Sequence, residues 1–281
     1  MSQINWNQMW LDREDSKDRS DNKEFWDDFA PRFRKKREEK DQYVETFYEY
    51  MEPEPGDTLF DMGCASGTLA IPYAGKGHEI YAADFSSEML KHLMEGAEKE
   101  GVADRIHPIK LDWNEDWSII ELPKCDIAFS SRSFICRDLT SSLKKLESVA
   151  KRKVCIGAWD NPAKHYDRHV AEAIGYERPG FSCYYLIMGE LMDRDMQPEL
   201  KFIYSPFRLD KYVTREEAVS KIRSSFINGL TEKQEGEFEK YMEAHLVYHR
   251  KNIMHMGKEL DEYWALDHDT MSSMAFISYA V

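Results

Sequence analysis

The sequence lacks any apolar run long enough to cross a bilayer, and its opening residues, 1–15, lack the apolar centre of a signal peptide. Both absences predict a cytoplasmic protein with no membrane partner. Cysteine is sparse: five residues, an odd number, stand at 64, 125, 136, 155 and 183, with no C-x-x-C pair. That spacing offers neither a zinc cluster nor a redox dithiol, so buried thiols are expected. Positive charge is also short. Lys and Arg total 38 against 52 Asp and Glu, giving a net charge of −14 and a pI near 5.2. Such a balance disfavours nonspecific binding to nucleic acid or anionic membranes. The basic run Arg32 to Arg37 is followed by Glu38, Glu39, Lys40 and Asp41, and reads as a solvated helix face.

Several motifs are missing as well. Neither G-x-G-x-x-G nor G-x-x-x-x-G-K-[ST] occurs, which disfavours dinucleotides and nucleoside triphosphates. His245 and His249 are spaced like a metal pair, but the run is H-L-V-Y-H without the glutamate of H-E-x-x-H, and no metal is expected. Internal repeats and low-complexity tracts are absent.

What is present is a hydrophobic share of 42% over 281 residues, enough for a sizeable core. One large domain with an elaboration is the expected organisation. The most informative stretch is Leu59 to Gly67, LFDMGCASG, an apolar strand that ends at Asp61 and runs into a loop of small residues spaced G-x-A-x-G. Gly63, Ala65 and Gly67 keep that loop thin, and a helix beginning near Gly67 would aim free backbone N–H groups at a ligand above the strand end.

Further strand ends repeat the pattern. Ile80 to Ala83 runs into Asp84, Phe85 and Ser86, which places a carboxylate about 20 residues past the loop, where doubly wound folds hold a ribose diol. Ile106 to Leu111 ends at Asp112-Trp113, an acceptor beside an aromatic face. Cys125 to Ser130 ends in Ser-Ser-Arg, and Lys153 to Ala158 ends in Trp159-Asp160. Polar groups at successive strand ends mark the carboxyl edge of a parallel sheet as a ligand site.

Over residues 25–159 the chain resembles the class I S-adenosylmethionine-dependent methyltransferases. The resemblance implies an α/β, Rossmann-like doubly wound fold, with a mostly parallel seven-stranded sheet, helices on both faces and a helical elaboration. It also implies S-adenosyl-L-methionine as cofactor. Asp61, Gly63, Ala65 and Gly67 match the motif that backs the methionine part, Ala65 standing where glycine is commoner. Asp84, with Phe85 and Ser86, matches the ribose site, Asp112 and Trp113 the adenine site, and Ser130 to Arg132 the motif near the transferable methyl. An N-terminal helix often lies over the cofactor in this family, so Trp26 and Phe29 are expected to close the site.

Three segments are expected. Residues 1–52 read as a helical cover, with Trp26, Phe29 and Phe33 and then Tyr43, Phe47 and Tyr50 at helical spacing. Residues 53–281 form the methyltransferase domain, with a substrate-side elaboration over 160–256. Within it a helix from Ala163 to Ile174, a capped helix from Thr214 to about Phe226 and another from Glu232 to Met256 are predicted, and Met274 to Val281 reads as the last strand. Arg132, Trp159, His165 and Tyr166 are candidate substrate contacts with Phe29; no residue is assigned as a catalytic base. A small-molecule acceptor is favoured over RNA or protein and over a non-catalytic binding module, and the chain is expected to be a monomer or homodimer.

Overall fold

The computed structural model describes residues 4–12, 24, 26–28, 30, 42–134, 136–159, 166–177, 182–207, 211–226, 229–255, 258–268 and 270–281. Phe29, Phe33, Asp160 and His165 lie outside these residues. Two compact units divide the chain: 1–160 with 183–203 and 274–281, and 161–182 with 204–273.

The first unit is built on a sheet whose strands alternate with helices. In chain order these are α1 (Trp6–Leu11), α2 (Gln42–Met51), β1 (Thr58–Met62), α3 (Ala70–Gly75), β2 (Glu79–Asp84), α4 (Ser87–Glu100), β3 (Ile106–Lys110), β4 (Cys125–Ser131), α5 (Leu139–Val149), β5 (Ala150–Trp159), α7 (Cys183–Asp193), β6 (Glu199–Phe207) and β9 (Thr270–Ala280). The sheet order is β3-β2-β1-β4-β5-β9-β6. The first five strands pair in parallel, and β9 lies antiparallel to β5, with Lys153 opposite Ala280 and Trp159 opposite Met274. This is the predicted seven-stranded, mostly parallel α/β sheet. The closing strand also forms as predicted, while β6 was not anticipated.

Strand alternation makes two cores. Phe60, Met62, Ala128, Val154 and Ile156 face one side, where Leu139, Leu143 and Leu146 of α5 and Leu186, Ile187 and Leu191 of α7 cover them. Leu59, Ile80, Ile127, Phe129 and Cys155 face the other, under Tyr43, Phe47 and Met51 of α2 and Leu93 and Ala97 of α4. Side chains at i and i+2 share one face of a strand, so a sheet buried on both sides reads as nearly continuous apolar sequence. Gly189 of α7 lets Trp6 approach, since a Cβ there would sit 2.5 Å from the indole.

The second unit holds α6 (Arg168–Ala173), α8 (Arg215–Ser224), α9 (Glu232–His245), β7 (Leu246–His255) and β8 (Lys258–Leu266). Val170, Ala218, Ile222, Phe226, Phe238 and Met242 form its core. Thr214 caps α8, as predicted, by accepting from Glu217 N–H at 3.1 Å, while the Glu217 carboxylate reaches Val213 N–H rather than Thr214 N–H, so a reciprocal capping box is only half formed. A complete box instead starts α9, between Thr231 and Gln234.

One predicted helix is corrected. The segment from Glu232 to Met256 is helical only to His245, and Leu246 to His255 pairs antiparallel with β8. Tyr248 faces Trp264, and His249 stacks on Tyr263 with ring centroids 4.9 Å apart. Long-range pairing of aromatic residues overrides helical spacing here. His245 and His249 consequently share no helix face: His245 ends α9, with its ring nitrogen 3.1 Å from Asp267.

Candidate active site

The carboxyl ends of β1, β2, β3 and β4 meet around one open cleft. Its lower side is the chain from Asp61 to Ala65. Gly63 N–H and Cys64 N–H both donate to the Ala83 carbonyl, at 2.8 and 3.0 Å. Ala65 N–H donates to Asp84 Oδ2 at 2.9 Å, and Gly67 N–H to the Cys64 carbonyl at 2.9 Å. The N–H groups of Ser66, Thr68 and Leu69, in contrast, meet no acceptor among the described residues, so the expected free N–H groups are present beside an engaged set. The regular helix begins at Ala70 rather than Gly67, and four loop N–H groups are used to pin the loop to β2 and to itself.

Two buried carboxylates also face the cleft. Asp61, the buried penultimate residue of β1, has its pKa raised well above the carboxylate range, first by burial and then by the charge of Asp84. Asp84, at the end of β2, is also buried and also raised: burial outweighs the N–H groups of Ser86 and Ala65, and Asp27 adds repulsion. Each Asp84 oxygen accepts one of those N–H bonds at 2.9 Å. A carboxylate has about four acceptor positions, so capacity remains for a ligand's donors.

Trp26, Phe85, Asp112 and Trp113 also line the cleft. Trp113 is stacked on Trp117 and donates from its indole nitrogen to the Ser133 carbonyl at 3.0 Å, which fixes its ring. Asp112 Oδ1 accepts from Asn114 N–H at 2.8 Å, leaving its second oxygen for another donor. Other predicted residues act from behind. Ser86 is buried as the N-cap of α4, accepting from Met89 N–H at 3.1 Å and donating to Asp27. Gly67 serves the turn, with φ at 76°. Ser130 is fully buried and shares a 3.0 Å bond with Ser133 Oγ.

Among the predicted substrate contacts, Arg132 lines the cleft. Trp159 closes β5, its backbone paired with Met274. Tyr166 requires correction. It belongs to the second unit, where its ring is buried against Phe226 and Tyr176, so its role there is packing.

Sequence reasoning missed Ser133, Met89 and Tyr43. Ser133 donates to the Met62 carbonyl at 2.9 Å and presses against Gly63, tying the ends of β1 and β4. Its only signal was position, directly after the Ser-Ser-Arg strand end.

Ala65 has φ at 47°, a left-handed conformation that a Cβ disfavours by about 1–2 kcal/mol. Glycine regains that cost but loses about 0.5–1 kcal/mol through greater freedom when unfolded. Ala65→Gly is therefore expected to raise stability by about 0.5–1 kcal/mol, read as a higher urea midpoint at unchanged m-value.

Residues 59–153 match the family described as "Methyltransferase domain". An uncharacterized protein of Haemophilus influenzae is 31% identical over 162 residues, covering 57% of this chain and 59% of that protein. A probable cobalt-precorrin-6B C(15)-methyltransferase (decarboxylating) of Pyrobaculum calidifontis is 38% identical over 77 residues, 26% of this chain and 38% of that one. The matches thus span less than two thirds of either relative. Among solved structures, magnesium protoporphyrin IX methyltransferase from Synechocystis PCC 6803 with bound SAH is 18% identical, with a TM-score of 0.49, over 67% of this chain and 94% of that one. YjhP from E. coli is 15% identical, also at 0.49, over 97% and 99%. Over residues 59–153, the stretch that carries β1 to β4 and most of the cleft, the chain is thus similar to the methyltransferase-domain family.

Proposed function

We propose that the protein transfers a methyl group from S-adenosylmethionine to a small molecule. The observation that carries the reading is the pair of buried carboxylates, Asp61 and Asp84, at the ends of adjacent strands and facing one cleft. Both gain from a ligand rich in positive charge and hydroxyl donors, and neither suits a phosphate. The donor set therefore fits a sulfonium amino acid joined to a nucleoside.

S-adenosylmethionine supplies an electrophilic methyl group when bound. The chain's part is to bind, orient and exclude water. Asp84 accepts from the ribose diol while the loop N–H groups hold its plane. Asp61 accepts from the methionyl ammonium. Asp112 takes the adenine amino group, and Trp113 offers its ring face. Trp26 covers the cleft, limiting water near the transferred group, and alignment of acceptor and methyl supplies most of the rate. An acidic protein, charge −14, fits a small acceptor better than RNA. Among the described residues no helix is long and apolar enough to cross a membrane.

Calorimetric titration with S-adenosylmethionine and S-adenosylhomocysteine tests the cofactor, and release of S-adenosylhomocysteine across an acceptor panel tests turnover. Binding to neither ligand would refute the reading.

A pH signature accompanies it. Asp61 and Asp84 carry protons in the folded state at pH values where the unfolded chain has released them, because their folded pKa values are raised. The unliganded protein should therefore lose stability as pH rises from the ordinary carboxylate range, about 4, through those raised values. Asp126 acts in a separate window: hydrogen bonds from Thr58 hold it near about 2, so its contribution is lost only as pH falls toward that value. Saturating S-adenosylhomocysteine should stabilise more at higher pH, and Asp61→Asn should flatten the slope. Urea unfolding from pH 5 to 9 with and without ligand checks both, and a ligand effect independent of pH would remove Asp61 from the ammonium site.

A further inference from the structure

Arg132 is the one basic side chain among the described residues lining the cleft. Its backbone is held in the left-handed region, φ 59°, which a long L side chain rarely adopts unless its surroundings impose it. Arg132 N–H donates to the Gly157 carbonyl at 2.8 Å, fixing the turn after β4 against β5. The guanidinium carbon sits 4.5 Å from the centroid of the Tyr43 ring. That ring is buried, and its hydroxyl is 2.6 Å from Ser131 Oγ. Gly157 makes the room, since a Cβ there would approach the Tyr43 hydroxyl to 2.6 Å. The cation therefore rests on a rigid aromatic platform.

Among the described residues no Asp or Glu pairs with Arg132, whereas the partly buried Arg194 is closed by Glu147 and Arg152 by Asp57. A half-buried guanidinium without a carboxylate beside a cleft is a fork of donors matched to one. Strand order separates it from Asp112, which follows β3, and from Asp84, which ends β2; Asp61 lies on the neighbouring β1 but forms no ion pair with it.

Resting on the methyl-transfer reading above, we propose that Arg132 binds a carboxylate of the acceptor, so that the substrates are small molecules bearing an acidic group. The cofactor's methionyl part also carries a carboxylate, and the experiment separates the two sources. Acetate and benzoate, with benzamide as neutral isostere, are titrated into protein saturated with S-adenosylhomocysteine. Saturable carboxylate binding is expected in the wild type, about tenfold weaker or more in Arg132→Gln and intermediate in Arg132→Lys, with benzamide indifferent to both changes. Carboxylates that fail to bind the wild type, or bind Arg132→Gln equally, overturn the proposal.

The second arm compares S-adenosylhomocysteine with 5′-methylthioadenosine, which has no carboxylate. If Arg132→Gln weakens only the former, the guanidinium serves the cofactor and the proposal falls. If the wild type binds neither nucleoside, the methyl-transfer reading fails instead, and the carboxylate titration on ligand-free protein still decides what Arg132 does. Equal urea midpoints for wild type and Arg132→Gln exclude unfolding as the cause of any loss.

Discussion

Asp84→Ala should lower the affinity for S-adenosylhomocysteine by about 100-fold or more, read by calorimetry at fixed pH. Two hydroxyl bonds to an ionised acceptor account for about 3 kcal/mol, and about 1.4 kcal/mol is a factor of ten. The same side chain also receives Ala65 N–H and Ser86 N–H. Its removal leaves two donors unmatched beside the glycine loop, at a cost of about 1–3 kcal/mol in stability for each that water cannot reach. Affinity and stability should thus fall together, and a midpoint shift without loss of affinity would mean that the carboxylate only braces the loop. Asp84→Asn is no rescue, because its amide would turn a donor toward one of those two N–H groups.

Gly63→Ala should have the largest effect on folding. A Cβ at this position would lie 2.3 Å from Ser133 Cβ, and the backbone is at φ 78°. Overpacking of about 1–3 kcal/mol and a left-handed cost of about 1–2 kcal/mol combine to roughly 2–5 kcal/mol. That is a large part of the stability of an ordinary domain, about 5–15 kcal/mol. Ser133 cannot easily retreat, since its hydroxyl is bonded to the Met62 carbonyl at 2.9 Å. Urea unfolding of Gly63→Ala checks the estimate. Wild-type stability in this variant would show that the ends of β1 and β4 have slack.

The parallel half of the sheet was legible because its information is local. Each strand carries a short apolar run, and a small or acidic residue stands at its end or within two residues after it, at the same edge of the sheet. The loop after β1 was legible as a thin loop but not in its hydrogen bonding, because Ala83 and Asp84, which hold it, lie a full crossover away. The hairpin of β7 and β8 hid behind helical spacing for a related reason. Tyr248 and His249 are strand residues through Trp264 and Tyr263, and no window around residue 248 contains those partners. Tyr166 was misplaced because proximity to a strand end in sequence does not say which core a ring enters. The platform under Arg132 combines Tyr43, Ser131 and Gly157 from three elements, a juxtaposition that only the folded chain displays.

The position of β9 bears on how the chain reaches this state. Trp159 at the end of β5 pairs with Met274, so the edge of β5 waits for a partner made only after the whole second unit has left the ribosome. Until then the sheet exposes the backbone groups of β5, flanked by Cys155 and Ile156, as an open template. Such an edge is where another chain can add, and pairing over so long a separation is slow. Vectorial synthesis therefore makes an interior seam of the finished sheet, between its parallel strands and β9, the last to close, and the nascent protein, rather than the folded one, is the form most in need of protection from aggregation.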